Sequence, residues 1–149
     1  MQASFTRRSA LALTGGALMA STRSVQATPE TRDAAIRDFA GEAAIRTGRV
    51  LVDVPALVEN GNAASLTVTV ESPMTEADHV RRIAVFNETN PQPNVVTVVL
   101  GPLSGRARLS TRIRLAGSQR ITAVAEMSDG TFWLGGADVI VTLAACVES

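Results

Sequence analysis

Lysine and tyrosine are absent from this 149-residue chain, and histidine, cysteine and tryptophan occur once each. Each shortage removes a class of chemistry. One histidine and one cysteine do not supply the ligands of an ordinary zinc centre. No nucleophile elbow, phosphate-binding loop, dinucleotide fingerprint or zinc-protease motif occurs, so conventional hydrolase, NTPase and dehydrogenase readings lack their parts. A cysteine nucleophile without an assignable base makes a poor enzyme. His79, the one candidate base, follows Asp78 just before a strand and reads as a satisfied surface residue. All 14 basic residues are arginines matched by 14 acidic ones, which leaves no basic field for holding nucleic acid. A single cysteine has no partner in its own chain, so in an exported protein the thiol either does chemistry or pairs with another chain.

What the sequence does contain is 46% apolar residues, ample for a core. Residues 1–27 stand apart from it. Arg7-Arg8, the apolar stretch 10–20 broken by Gly15 and Gly16, and Val25-Gln26-Ala27 read as a twin-arginine-type signal peptide cleaved after Ala27. The stretch is shorter than the about 20 residues that cross a bilayer, which argues against a membrane anchor. Its removal takes away Arg7, Arg8 and Arg23 and no acid, leaving 11 arginines against 14 carboxylates.

Residues 28–46 are expected to form a helix, with Thr28 as N-cap, Pro29 at the first position and Glu30 near the positive end of the dipole. Ile36, Phe39, Ala40 and Ala43 share one face, and Gly48 closes the segment. From Arg49 the apolar period falls to two. Val50, Val52 and Val54 lead to a turn at Glu59-Asn60-Gly61-Asn62 and back through Leu66, Val68 and Val70, the pattern of a hairpin. Turns at Ser72-Pro73-Met74-Thr75 and Asn90-Pro91-Gln92-Pro93 bracket a third strand over 80–86, and 95–100 reads as a buried fourth.

In the fifth strand Ala107, Leu109, Thr111, Ile113 and Leu115 alternate with Arg106, Arg108, Ser110, Arg112 and Arg114, giving one core face and one face with four arginines. That stripe is either a solvated sheet face or a contact for an anion or an acidic partner, which arginine suits. A sixth strand holds Ile121, Ala123, Ala125 and Met127. Ser128-Asp129-Gly130-Thr131 turns the chain, Phe132-Trp133 anchors it, and 138–143 is the seventh strand. These elements predict an all-β fold, an immunoglobulin-like antiparallel β-sandwich of about seven strands over 47–143, with one short N-terminal helix and a flexible C-terminal arm over 144–149.

The arm carries the thiol. Cys146 follows Ala144 and Ala145 and precedes Val147, Glu148 and Ser149, residues with little apolar surface to bury it, so the expectation is a thiol presented to other proteins. A passive buried cysteine is the alternative. Glu148 sets negative charge beside the sulfur, which favours the neutral thiol and repels anionic reactants.

Glu59-Asn60-Gly61, Ser72-Pro73-Met74-Thr75, Val85-Phe86, Asn90-Pro91, Thr111-Arg112-Ile113-Arg114-Leu115-Ala116, Gln119, Ala123-Val124-Ala125, Met127-Ser128-Asp129-Gly130 and Trp133, ahead of a cysteine arm, together resemble the SoxY family of sulfur carriers in the bacterial Sox thiosulfate-oxidising system. The resemblance runs almost the length of the chain after the signal. It implies a periplasmic immunoglobulin-like subunit, exported by the twin-arginine route, that pairs with a SoxZ-like subunit as a heterodimer. It also implies a carrier acted on by redox enzymes, with no cofactor beyond a covalent sulfur adduct on Cys146, and without membrane or nucleic-acid contacts. The family arm ends Gly-Gly-Cys-Gly-Gly, whereas this one is similar to a paralogue group with an Ala-Ala-Cys-Ile-Glu arm. Alanines and a β-branched residue in place of glycine narrow the backbone's options and add bulk, so entry into a narrow enzyme channel is expected to be restricted. The competing expectation is an assembly subunit whose cysteine forms an interchain disulfide or is inert.

Overall fold

The computed structural model describes residues 26–145; the expected signal up to residue 25 and the residues from Cys146 onward lie outside them. Helix α1 spans Pro29–Ala40. It starts where the sequence says it should, because the Thr28 side chain accepts the Thr31 N–H at 3.3 Å and the Thr31 hydroxyl accepts the Thr28 N–H at 2.7 Å. Glu30 lies in the first turn, where its own backbone N–H and then the Thr28 hydroxyl hold its carboxyl below the ordinary range. The expected extent of 28–46 is too long. Gly41 takes φ 63° and donates its N–H to the Arg37 carbonyl at 2.7 Å, and this left-handed residue ends the helix about two turns before Gly48. Ala43 is consequently exposed rather than part of the packed face.

Nine strands follow: β1 Ile45–Thr47, β2 Val50–Asp53, β3 Leu57–Asn60, β4 Ala64–Val70, β5 Val80–Phe86, β6 Asn94–Val99, β7 Arg108–Ile113, β8 Gln119–Met127 and β9 Phe132–Leu143. One sheet runs β1-β9-β8-β5-β6, with β3 also on β9, and the other runs β2-β4-β7. The fold is a β-sandwich behind an N-terminal helix. The two strands additional to the expected seven, β1 and β3, are three and four residues long, too short to show a period, and both pair parallel to β9.

The expected hairpin is altered in its connection. Val50–Asp53 and Ala64–Val70 do pair antiparallel, Val52 opposite Val68. Between them, however, the chain leaves that sheet as β3 and returns through a 3-10 turn, Gly61–Ala63, capped by the Asn60 side chain accepting the Asn62 N–H at 3.0 Å. The fourth strand is also not buried as expected. β6 is the outer strand of its sheet, with Val99 at 78% exposure, so its continuous valines mark an edge.

Two cores explain the unbroken apolar runs of β5 and β8. Between the sheets lie Leu66, Val68, Ile83, Val85, Ile121, Ala123, Ala125 and Met127. On the outer side of the larger sheet Ile36 and Ala40 of α1 close over Ala84, Phe86, Val124 and Phe132. Alternate side chains of one strand thus enter different cores, and both are apolar. Phe39 seals the second, edge-on to Phe86 at 6.1 Å and to Phe132 at 5.9 Å between ring centroids. Replacing the fully buried Phe86 by alanine empties this layer, and Phe86→Ala is expected to cost about 3–5 kcal/mol in urea unfolding. A loss below about 1 kcal/mol, the scale of a volume-conserving swap, would show that the helix layer does not depend on it.

Candidate functional site

The thiol itself, Cys146, and its neighbours Val147 and Glu148 lie outside the described residues. What the structure does place is their point of departure. β9 is paired on both edges near its end: β3 runs parallel beside it with Leu57 opposite Ile140 and Asn60 opposite Leu143. On its other side, past the end of the β8 pairing at Val139, the Ser118 hydroxyl accepts the Val141 N–H at 2.9 Å.

The arm was expected to leave the body at residue 144. Ala144 is exposed, but Ala145 turns back: it is 5% exposed and donates its N–H to the Leu115 carbonyl at 2.9 Å. Leu115 in turn donates its N–H to the Gly61 carbonyl at 2.8 Å. The last described residue therefore belongs to the body, and Cys146 is the first residue beyond the anchor. Residue type hid this, since the holding group is a main-chain amide and alanine's small size only permits the close approach. Gly61 permits it too. A Cβ placed there would strike the Leu115 carbonyl oxygen and come within 2.8 Å of the Ala145 nitrogen, both main-chain atoms that cannot swing aside.

The turn that supplies Leu115 is itself fixed by side-chain amides, half-buried at Asn90 and buried at Gln119. Asn90 donates to the Arg114 carbonyl at 2.7 Å and accepts the Ala116 N–H at 3.0 Å, so it holds the backbone on either side of Leu115. Gln119, 7% exposed, donates to Asn90 at 3.1 Å while its oxygen accepts the N–H groups of Glu88 and Thr89 at 3.1 and 3.2 Å. Ala27, the last residue of the expected signal, is also buried here and donates its N–H to the Asn90 carbonyl at 2.8 Å, a contact that cleavage after Ala27 would remove while leaving the bonds of Asn90 and Gln119 in place. Burying an amide without partners is costly, so such a network persists only when its members are satisfied together. Sequence reasoning placed Asn90 in a turn and gave Gln119 no task, because the two are 29 residues apart and only the fold brings them together.

Arg108 and Arg112 lie on β7 and Arg106 and Arg114 flank it; all four are exposed, as the alternation predicts. Among the described residues none of the four belongs to an ion pair. β7 is an edge strand, and across it Arg108 faces Thr69 and Arg112 faces Ser65 on β4. The stripe ends at Arg114, next to the residue that receives the Ala145 amide, so the structure joins the two features that the sequence treats separately. His79 is a satisfied loop residue, its Nδ1 2.9 Å from the Thr75 carbonyl oxygen. Among the described residues no group of three or more His, Cys, Asp or Glu side chains is arranged to hold a metal ion, and no helix is long and apolar enough to cross a membrane.

Comparison with known proteins agrees with this geometry. The sequence pattern of the family described as sulfur oxidation protein SoxY matches residues 36–146. The chain belongs to the SoxY family. Among solved structures, the sulfur carrier protein SoxY from Chlorobium limicola f thiosulfatophilum superimposes with a TM-score of 0.65 at 23% identity, over 76% of this chain and 98% of that one. A superoxide reductase (neelaredoxin) from Ignicoccus hospitalis has a TM-score of 0.56 at 16% identity, over 78% and 95% of the two chains. A putative superoxide reductase from Thermotoga maritima has a TM-score of 0.53 at 22% identity, over 70% and 90%. These likenesses are of fold. No curated protein sequence matches.

The geometry at Gly61 makes a direct prediction. Gly61→Ala is expected to destabilise the chain by about 1–3 kcal/mol, as overpacking does, and to speed hydrogen exchange of the Ala145 amide. Unchanged stability together with unchanged exchange would show that Ala145 is not held against Gly61 and Leu115.

Proposed function

We propose that this chain is a covalent sulfur carrier, with Cys146 as the attachment point. The observation that carries the reading is that the SoxY family pattern extends through residue 146, so the chain's one cysteine falls inside the matched region. The chemistry needs only a thiolate. Cys146 attacks a sulfane sulfur of a polysulfide-type donor, an S–S bond forms on the cysteine as the donor's S–S bond breaks, and the shortened donor leaves as the new thiolate. No base or metal from this chain is required, because the enzymes that load and strip the sulfur supply them. The protein is on this reading a substrate-bearing subunit rather than an enzyme.

The anchor at Ala145 gives the carrier a defined exit point. The sandwich positions that point and partners read the surface around it. In this account the arginine stripe from Arg106 to Arg114 contacts an acidic face of a SoxZ-like subunit, since four exposed guanidinium groups outside any ion pair among the described residues suit carboxylates. Export to the periplasm by the segment 1–27 places the carrier with its redox partners. The arm's own sequence, Ala144-Ala145-Cys146-Val147-Glu148 with no glycine beside the thiol, favours a second reading in which the thiol makes a lasting interchain disulfide. Non-reducing gels separate the two: a stable linked pair supports assembly, and a reducible low-mass adduct supports carriage.

Intact mass measurement after exposure to a polysulfide donor should show a gain of sulfur that reductant removes. Cys146→Ser should abolish it with an unchanged urea midpoint, because a serine hydroxyl is far less nucleophilic than a thiol at neutral pH. Sulfur retained by the serine variant would sink the assignment of the site. Reversing charge at Arg112 and Arg114 together is expected to weaken binding of the SoxZ-like partner at least tenfold at low salt, with less difference in high salt. Equal affinity at low salt would place the interface elsewhere.

A further inference from the structure

Trp133 is the chain's one tryptophan, and it lies at the start of β9, at the opposite end of the strand from Ala145. Two guanidinium groups stand against its ring. Arg46, its register neighbour on β1, is 5.6 Å from the ring centroid, and Arg49, in the turn into β2, is 5.2 Å from it. One cation on an indole face is attractive. A second cation stands within 6 Å of the same ring, and among the described residues neither arginine belongs to an ion pair.

The carboxylate that senses Arg49 is Asp129, and it is already engaged. It accepts the Thr131 N–H at 2.9 Å and the Thr131 hydroxyl at 2.7 Å, and the Thr131 oxygen accepts the indole N–H of Trp133 at 3.1 Å. Those bonds hold its carboxyl below the ordinary range, with Arg49 a smaller influence. The backbone gives a further sign. Arg49 has φ 57°, in the left-handed region, beside Gly48 at φ 112°. Glycine or asparagine would hold this conformation at lower cost, so what position 49 gains from arginine lies in the side chain. The turn is fixed by the Arg49 carbonyl, which accepts the Glu71 N–H at 2.8 Å.

We propose that Arg46 and Arg49, carried on Trp133, form a binding site for a divalent tetrahedral oxyanion of the sulfate type. Guanidinium groups are planar, weakly hydrated and shaped for two parallel bonds to such an anion, and stacking on an aromatic ring leaves their N–H donors free for it. A dianion offsets the repulsion between the two cations, which chloride does less well. The site lies at the end of β9 opposite Ala145, and its existence does not rest on the carrier reading.

The single indole gives a built-in reporter. The isotopically labelled chain is titrated with sodium sulfate, ionic strength being held constant with sodium chloride, while the indole N–H and arginine side-chain resonances are followed. A saturable shift of the indole N–H and of the Arg46 and Arg49 Nε–H signals is expected. Arg46→Gln and Arg49→Gly should each weaken binding at least tenfold. Arg49→Gly also relieves the positive φ, so its urea midpoint should be no lower than the parent's, which separates lost binding from lost fold. Resonances that do not move, or that move alike in the parent and both variants, overturn the site.

Discussion

Main-chain hydrogen bonding along β9 is the constraint on which the rest of the structure depends. A strand of twelve residues exposes many N–H and C=O groups, and those that lose water must find partners. β8 satisfies one edge through Val139, while β1 and β3 each take a few residues of the other. The two short parallel strands therefore cover the lengths of β9 that no long strand reaches. Their shortness follows from the chain having to leave each for the opposite sheet. The crossing at β2 needs Gly135, where any Cβ would collide with the Val50 carbonyl.

The same pairing carries the chain to the residue before Cys146, the proposed point of sulfur attachment. β9 delivers Ala145 to Leu115, Leu115 is bonded to Gly61, and the turn holding Leu115 is locked by Asn90 and Gln119. Elements remote in sequence, near residues 61, 90, 115 and 145, thus meet at one end of the sandwich. A body that fixes the residue before the thiol can give a partner enzyme one docking geometry, where a longer free arm would have to be ordered at each encounter at an entropic cost of about 1–2 kcal/mol per residue.

Much of the sandwich was legible because its signals are local. The twofold alternation of β4 and β7, the apolar runs of β5 and β8, and the cap of α1 at Thr28 each lie within a few residues of sequence. The parts that were not legible depend on residues far apart. Gly41 ended the helix early through its own left-handed backbone, a choice that Gly48 offered equally well on paper. The segment between β2 and β4 looked like a hairpin turn, since nothing in Leu57 or Val58 says that their partners are Ile140 and Val141. At the candidate site the four arginines were visible from their alternation. The anchoring of Ala145 was not, because it rests on backbone amides and on the absence of a side chain at Gly61.

The most direct test of the central claim, that Cys146 carries sulfur, is the amount of cyanide-labile sulfur per chain. Cyanide takes a sulfane sulfur as thiocyanate and leaves an ordinary thiol, so it counts cargo and ignores disulfides between chains that lack an extra sulfur. After exposure to a polysulfide donor and removal of the excess, the account predicts about one thiocyanate per chain, with the thiol of Cys146 restored for alkylation afterwards, in keeping with thiol–disulfide exchange at a single site. No thiocyanate from a chain whose Cys146 is shown by alkylation to be free and accessible would contradict it.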